Sequence, residues 1–239
     1  MACSSLVSAL IVAGGKGERL GGAVRKQYLT LCGRSILSHT VGIFARLDEV
    51  GEIVIAAPAD DVAYIRDDLL VREFGAGVGK PLCVTPGGAT RQESVRAGLA
   101  AADPRSEMVL VHDAVRPFVQ PAHIQHVLER ARQHGAAILA TPVKDTLKRC
   151  EARSITATVP REGLYAAQTP QAFNTAKLRE AHDTAARRGL TATDDAALFE
   201  ALGCAVEIVD GSGLNIKITT AEDLRLADAI AQSFFGATT

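Results

Sequence analysis

The chain has 239 residues, a nearly balanced charge of −1 and no apolar run long enough to span a bilayer. No overall field is available to recruit nucleic acid or an anionic membrane surface, so any anion site must be local. Cys3, Cys32, Cys83, Cys150 and Cys204 are odd in number, scattered and never paired as C-x-x-C, which argues against a disulfide framework or a zinc site and suits a reduced, cytoplasmic protein.

From the N-terminus, no signal-peptide pattern precedes the first apolar run, 7–13. That strand candidate leads straight into Gly14-Gly15-Lys16-Gly17-Glu18-Arg19-Leu20, with Lys26-Gln27 at the far end of the loop. Glycines let the backbone approach phosphate oxygens and turn its N–H groups toward them, while Arg19 and Lys26 supply mobile positive charge. The segment therefore reads as a nucleoside triphosphate site. It is not a Walker A loop, because no stretch offers Gly-Lys-Ser/Thr with a second Gly five residues earlier. The dinucleotide fingerprint fails as well: Gly15 and Gly17 have the first spacing, but position 20 is Leu, and the next strand ends Ile55-Ala56-Ala57-Pro58 with no acid for a ribose.

Apolar runs then alternate with longer helical patterns. Strands are predicted at 53–57, 82–85, 108–112, 137–141, 164–168 and 206–209, and helices at 36–45, 59–74, 91–102, 121–134, 175–188, 194–202 and 221–235. Thr90 with Glu93 forms a capping signature, and Pro121 suits a first helical turn. This rhythm predicts a single α/β domain over 1–239, a mostly parallel central sheet flanked by helices. The polar stretch 143–161 breaks the rhythm and reads as a protruding β-arm. An isolated hairpin needs a partner surface, so the arm is expected to pack against a second subunit.

Ligands of such sheets sit beyond the carboxyl ends of the strands. Gly87-Gly88-Ala89-Thr90-Arg91-Gln92-Glu93-Ser94 follows one strand there: the glycines allow a flat base against the backbone and Ser94 can hydrogen-bond from the helix. His112-Asp113-Ala114-Val115-Arg116-Pro117 follows the next. Asp113 could bind a metal, accept a substrate hydroxyl or pair only with Arg116. His112 has no companion at ligand spacing and is expected to be buried. Thr193 or Asp194 could simply cap the helix that begins there.

Eight stretches in order carry a resemblance: A-G-G-K-G-E-R-L, K-Q-Y-L, G-G-A-T-R-Q-E-S, V-H-D-A-V-R-P, P-V-K-D-T, Q-T-P-Q, T-D-D-A and N-I-K-I-T-T. Spanning about Leu10 to Leu226, they make the chain similar to the 2-C-methyl-D-erythritol 4-phosphate cytidylyltransferases, sugar-nucleotidyltransferase-fold enzymes of the non-mevalonate isoprenoid pathway. The resemblance implies a Rossmann-like nucleotidyltransferase fold and CMP transfer from CTP, with Mg²⁺, to a phosphorylated sugar alcohol. By position it implies CTP binding by Ala13, Gly14, Gly15, Gly17, Gly88 and Ser94, and transition-state stabilisation by Arg19 and Lys26. Acceptor contacts fall on Asp113, Arg116, Thr169 and Thr193, with Lys217 positioning the reactants. Thr146 and Arg161 would reach the acceptor phosphate of the neighbouring subunit in a homodimer with shared sites. No metal ligand is implied beyond Asp113 as one option.

The chain departs from the family pattern at Ala13-Gly14-Gly15, where Ala-Ala-Gly is common, and at Arg25, where Pro is common. The Gly-Gly form and the Lys-Ile-Thr-Thr ending also occur in ribitol 5-phosphate cytidylyltransferases, which gives an alternative acceptor. A non-catalytic nucleotide-binding module is the more distant alternative. The joint presence of Arg19, Lys26, Asp113, Arg161 and Lys217 argues against it.

Overall fold

A computed structural model describes residues 6–14, 24–75 and 77–235. In chain order the strands are β1 (Val7–Val12), a short hairpin of β2 (Thr30–Leu31) and β3 (Arg34–Ser35), then β4 (Val50–Ala57), β5 (Leu82–Pro86), β6 (Met108–Asp113) and β7 (Ala136–Pro142). A second hairpin, β8 (Leu147–Glu151) and β9 (Ser154–Val159), precedes β10 (Tyr165–Asn174) and β11 (Glu207–Asp210). Seven of them form one sheet in the order β11-β7-β10-β6-β1-β4-β5. As expected it is mostly parallel; β10 alone runs antiparallel, to both β6 and β7.

The central strands read as unbroken apolar runs because both faces of the sheet are covered. On one face Ala9 and Ile11 of β1 pack with Leu37, Val41 and Phe44 of α1 (Ile36–Ala45). Leu10, between them in β1, points the other way, into a cluster with Val54, Val109 and Val111. Two short helices follow β4: α2 (Val62–Tyr64), after a 3₁₀ turn at Ala59–Asp61, and α3 (Leu70–Phe74). A π-helical turn at Ile65–Leu69 joins them and brings Ile65, Leu69 and Leu70 to the core together. The continuous helix expected over 59–74 is thus subdivided.

The remaining helices are α4 (Arg91–Ala101), α5 (Pro121–His134), α6 (Thr175–Arg188), α7 (Asp195–Ala201) and α8 (Ala221–Phe235). Their ends follow the local chemistry. The Thr90–Glu93 capping box forms at α4, Pro121 opens α5, and Gly135 closes it in the left-handed region. Asp194 caps α7 by accepting from Ala197 N at 3.1 Å. Helix α8 seals a third cluster, in which Ala227, Ile230 and Ala231 meet Leu31, Ile36, Val115, Phe118 and Ile218.

One strand differs from expectation in a way that shapes the site. The segment Gln168-Thr169-Pro170-Gln171, read as a strand end, lies inside β10. Ala167 pairs with Ala140 and Gln171 with Ile138, so four steps along β10 match two along β7. Proline cannot donate to a ladder, and the bulge absorbs it while lifting Gln168 and Thr169 out of the pairing. The arm forms as the sequence suggested: β8 and β9 pair antiparallel and stay largely exposed, with Ile155 65% accessible. Among the described residues no helix is long and apolar enough to cross a membrane.

Candidate active site

Register places the site. Val12 of β1 lies opposite Asp113 of β6 on one side and Ala56 of β4 on the other, and Ala57 lies opposite Pro86 of β5. Four carboxyl ends therefore share one edge, and the loops leaving them enclose a cleft of about 570 Å³. Its lining includes Ala13, Gly14, Lys26, Gly88, Ser94, Asp113 and Lys217, seven of the residues expected at the site. The size suits one small polar ligand or a pair of them. Gly15, Gly17 and Arg19 lie outside the described residues.

At the nucleotide end, Ala13 N donates to Ala56 O at 2.8 Å, and Gln27 Nε2 donates to Ala13 O at 2.8 Å. Gln27 thereby ties the start of the glycine loop to the 3₁₀ turn Lys26–Tyr28. From outside, Asp61 holds the same turn at both ends, accepting from Tyr28 Oη at 2.7 Å and pairing with Arg25 Nε at 2.9 Å. Arg25 has φ −65° and ψ 141°, a conformation open to proline, so its departure from the family pattern leaves the backbone path unchanged.

Ser94 is 1% exposed, accepts from Gly88 N at 3.2 Å and donates to Thr90 O at 2.9 Å. Its hydroxyl thus fixes the turn that carries Gly88. A Cβ at Gly14 would sit 3.0 Å from Ser94 Oγ, and one at Gly88 would collide with Glu93. Gly88 can therefore approach the helix only as glycine, whereas a side chain at position 14 would require the Ser94 hydroxyl to give way by a few tenths of an ångström.

At the other end, Asp113 gathers three cations. Lys217 Nζ lies 2.8 Å from its Oδ2, Arg91 Nε 3.4 Å from Oδ1 and Arg116 Nε 3.5 Å from Oδ2. Burial opposes ionisation, yet Lys217 and then Arg91 hold the carboxyl well below the usual carboxylate range. Asp113 therefore does not pair only with Arg116, whose contact is the longest of the three. Arg116 Nη1 instead donates to Asn215 O at 2.7 Å. Asn215, fully buried, donates through Nδ2 to Thr169 O at 2.9 Å and Gln168 Oε1 at 3.2 Å, and Gln168 donates to Ser212 O at 2.9 Å. The β10 bulge thus anchors the loop that delivers Lys217.

Thr169, expected at the acceptor, is 5% exposed and has its hydroxyl spent inside the protein. It accepts from Asp113 N at 3.0 Å and donates to His112 Nδ1 at 3.1 Å, while His112 Nε2 donates to Arg116 O at 3.0 Å. This set of partners fixes the neutral Nε2–H tautomer. His112 is buried, as the sequence suggested, and burial pushes its pKa down to about 4. Below about pH 6.5 the unfolded chain takes up a proton that folded His112 refuses, so stability falls as pH drops and levels off near pH 4. His39, also lowered by burial, adds with the same sign. Urea melts at pH 7 and pH 5 should show a loss of up to about 2 kcal/mol attributable to His112. His112→Gln should flatten that slope; an unchanged slope would remove His112 as its source.

Thr193, Thr146 and Arg161 do not line the cleft of their own chain. Thr193 is exposed on the loop before α7. Thr146 is exposed near the start of the arm, and Arg161 donates to Lys144 O across the arm base. Three residues that the sequence did not single out join the site: Arg91, which lines the cleft, and Gln171 and Asp195 behind it. Gln171 Nε2 donates to Asp194 Oδ2 at 2.7 Å and its Oε1 accepts from Asp195 N at 3.2 Å, while Arg91 Nη1 lies 2.7 Å from Asp195 Oδ2.

The model of the 2-C-methyl-D-erythritol 4-phosphate cytidylyltransferase family matches residues 7–233. An enzyme of that name from Geotalea uraniireducens is 44% identical over 229 residues, covering 95% of this chain and 97% of the relative. One from Halalkalibacterium halodurans is 42% identical over 223 residues, 93% of this chain and 96% of the relative. Among solved structures, a 4-diphosphocytidyl-2C-methyl-D-erythritol synthase from Anaerococcus prevotii superposes with TM-score 0.83 at 33% identity, covering 96% of this chain and 97% of that one. A 2-C-methyl-D-erythritol 4-phosphate cytidylyltransferase from Thermus thermophilus gives 0.77 at 40% identity, covering 94% and 98%.

Proposed function

The chain belongs to the 2-C-methyl-D-erythritol 4-phosphate cytidylyltransferase family, and from that membership we propose which residues carry each part of the reaction. The reaction transfers CMP from CTP to 2-C-methyl-D-erythritol 4-phosphate, giving the CDP-methylerythritol and pyrophosphate, in isoprenoid precursor synthesis. The ribitol 5-phosphate alternative is not favoured, since the matching family and the relatives above all bear methylerythritol names.

The observation that carries the assignment of roles is that Lys26 and Lys217 line one cleft together with the Gly14 and Gly88 backbones. Ala13, Gly14, Gly15 and Gly17 cradle the triphosphate, and Gly88 with Ser94 forms the base-recognising wall. Lys26, with Arg19, neutralises charge that builds at the α-phosphorus. Asp113, Arg116 and Lys217 form the acceptor floor, and Thr169 acts on that floor indirectly through Asp113 and His112. A phosphate oxygen of the acceptor attacks the α-phosphorus in line and pyrophosphate leaves. That nucleophile is already largely ionised at pH 7, its second pKa being about 6, so no general base is required. The carboxylate and imidazole nearest the floor, Asp113 and His112, are engaged by protein partners, in keeping with a mechanism of orientation and charge neutralisation.

Mg²⁺ suits this cleft as a companion of the triphosphate. Among the described residues no cluster of three His, Cys, Asp or Glu side chains could hold it alone, and Asp113 is already compensated by three cations. Held chiefly through the triphosphate, with Asp113 as the one side chain assigned as a candidate ligand, the ion would neutralise part of the phosphate charge.

The arm is the dimerisation element, and Thr146 and Arg161 complete acceptor binding from the neighbouring subunit. The exposure of the arm and the absence of Thr146 and Arg161 from their own chain's cleft support this. The protein works in the cytoplasm, where CTP is made. Pyrophosphate release from CTP and Mg²⁺ should appear with methylerythritol 4-phosphate and not with ribitol 5-phosphate. Release with ribitol 5-phosphate alone would move the acceptor assignment, and silence with both despite CTP binding would overturn catalysis. For the shared site, mixing Arg161→Ala with Lys26→Ala chains should regenerate activity above either alone. Failure to complement after verified subunit exchange would refute it.

A further inference from the structure

From Arg91 in the cleft lining a chain of charges runs inward behind the acceptor floor, and the reaction, as assigned above, uses only its Asp113 end. Arg91 opens α4, and its guanidinium is divided between two acids: Nη1 is 2.7 Å from Asp195 Oδ2 and Nε is 3.4 Å from Asp113 Oδ1. Asp195 is 1% exposed, and its other oxygen accepts from His182 Nε2 at 3.0 Å; the His182 side chain is also 1% exposed. These residues come from α4, β6, α6 and α7 and meet only in the folded chain.

The division matters because arginine and a carboxylate prefer a bidentate fork. Held by Asp195, Arg91 presents only Nε to Asp113, at a long distance and on Oδ1. Oδ2 remains for Lys217, at 2.8 Å. Released from Asp195, a buried guanidinium would have Asp113 as its one remaining carboxylate and would turn both arms of its fork toward it. The Asp113 carboxylate would rotate and Lys217 would lose its tether.

We propose that Asp195, supported by His182, is a positioning residue: it keeps Arg91 from capturing Asp113 and so sets where Lys217 stands in the cleft. The inference rests on the assignment of Asp113 and Lys217 to the acceptor floor, and the test separates the two. Asp195→Asn keeps the shape and removes the charge. It should lower kcat about 10-fold or more, in the range seen when an outer supporting partner is removed. The KM for CTP should move less than about 3-fold, and circular dichroism should be unchanged. In a Lys217→Met background the same Asp195→Asn change should cost less than about 2-fold, since it acts through Lys217.

His182 offers an independent arm should Asp195→Asn not fold. His182→Leu should lower kcat in the same way, and His182→Gln, which retains a donor at the Nε2 position, should recover most of that loss. Full additivity of Asp195→Asn on Lys217→Met, or equal losses in His182→Leu and His182→Gln, would overturn the proposal while leaving the acceptor floor intact. If Lys217→Met alone proved harmless, the floor assignment would fail first.

Discussion

Lys26→Ala should lower kcat by roughly 10²-fold or more, about 3 kcal/mol of transition-state stabilisation, by analogy with the loss of one preorganised donor. The size of the effect follows from how firmly the turn is held. Gln27 is bonded inward to Ala13 O, and Arg25 and Tyr28 are bonded outward to Asp61, so the backbone on either side of Lys26 is fixed independently of its ammonium group. Alanine therefore removes a charge from a turn that keeps its place. A lysine ammonium is a compact point charge, suited to following phosphate oxygens as they crowd around the α-phosphorus. Steady-state rates with both substrates, together with CTP affinity by calorimetry, would test this. A near-normal kcat would remove Lys26 from the transition state, whereas a loss confined to CTP affinity would make it a ground-state contact.

Lys217→Met is the second substitution expected to be severe, with kcat/KM for the acceptor falling roughly 10²-fold or more. Two losses coincide. The cleft loses a cation, and Asp113 loses the partner that does most to keep it ionised against burial. The Asp113 pKa should then rise from its depressed position, against the pull of Arg91 and Arg116 that remains. In the wild type its ionisation persists to pH values far below assay conditions; in the variant the acid limb of the pH–rate profile should move upward. An acid limb that stays where it was, despite a lower rate, would show that Arg91 and Arg116 alone keep Asp113 ionised.

Much of this molecule could be read from its residues in order. Strand cores such as 53–57 and 108–112 announce themselves because a strand covered on both faces has no polar alternation to disguise it. Helix ends at Pro121, Asp194 and the Thr90–Glu93 box follow from backbone groups that need local partners. Of the cleft-lining residues, Gly14, Lys26, Gly88, Ser94 and Asp113 are legible by type and position, Lys217 is marked as a site residue only by the family resemblance, and register at the sheet edge gathers them.

What escaped notice depends on distant pairing. Arg91 and Asp195 are 104 positions apart, and nothing near either residue marks the other. Arg91 even lies within a stretch singled out for its glycines. The hairpin β2–β3, two residues a side, is too short for any periodicity to show. The strand predicted at 164–168 stops short of Pro170, and only the register against β7 reveals the bulge that accommodates proline within β10. Thr169 is a substrate contact only by the family resemblance, and nothing in the sequence around a hydroxyl at a loop mouth tells whether it faces outward or in.

Helix α8 lies far along the chain from the glycine loop, yet it shares its apolar footing with both halves of the ion pair that faces the acceptor. Ile218, next to Lys217, and Val115, two beyond Asp113, pack into the same cluster as Ala227, Ile230 and Ala231, and Ile218 N donates to Val115 O at 3.0 Å. The helix acts as a keystone: it shoulders together two loops that would otherwise be joined chiefly by charge. An affinity tag, fusion or trimming that disturbs α8 is therefore an intervention in catalysis, and a drop in turnover after such handling would say more about the seating of Lys217 than about global unfolding.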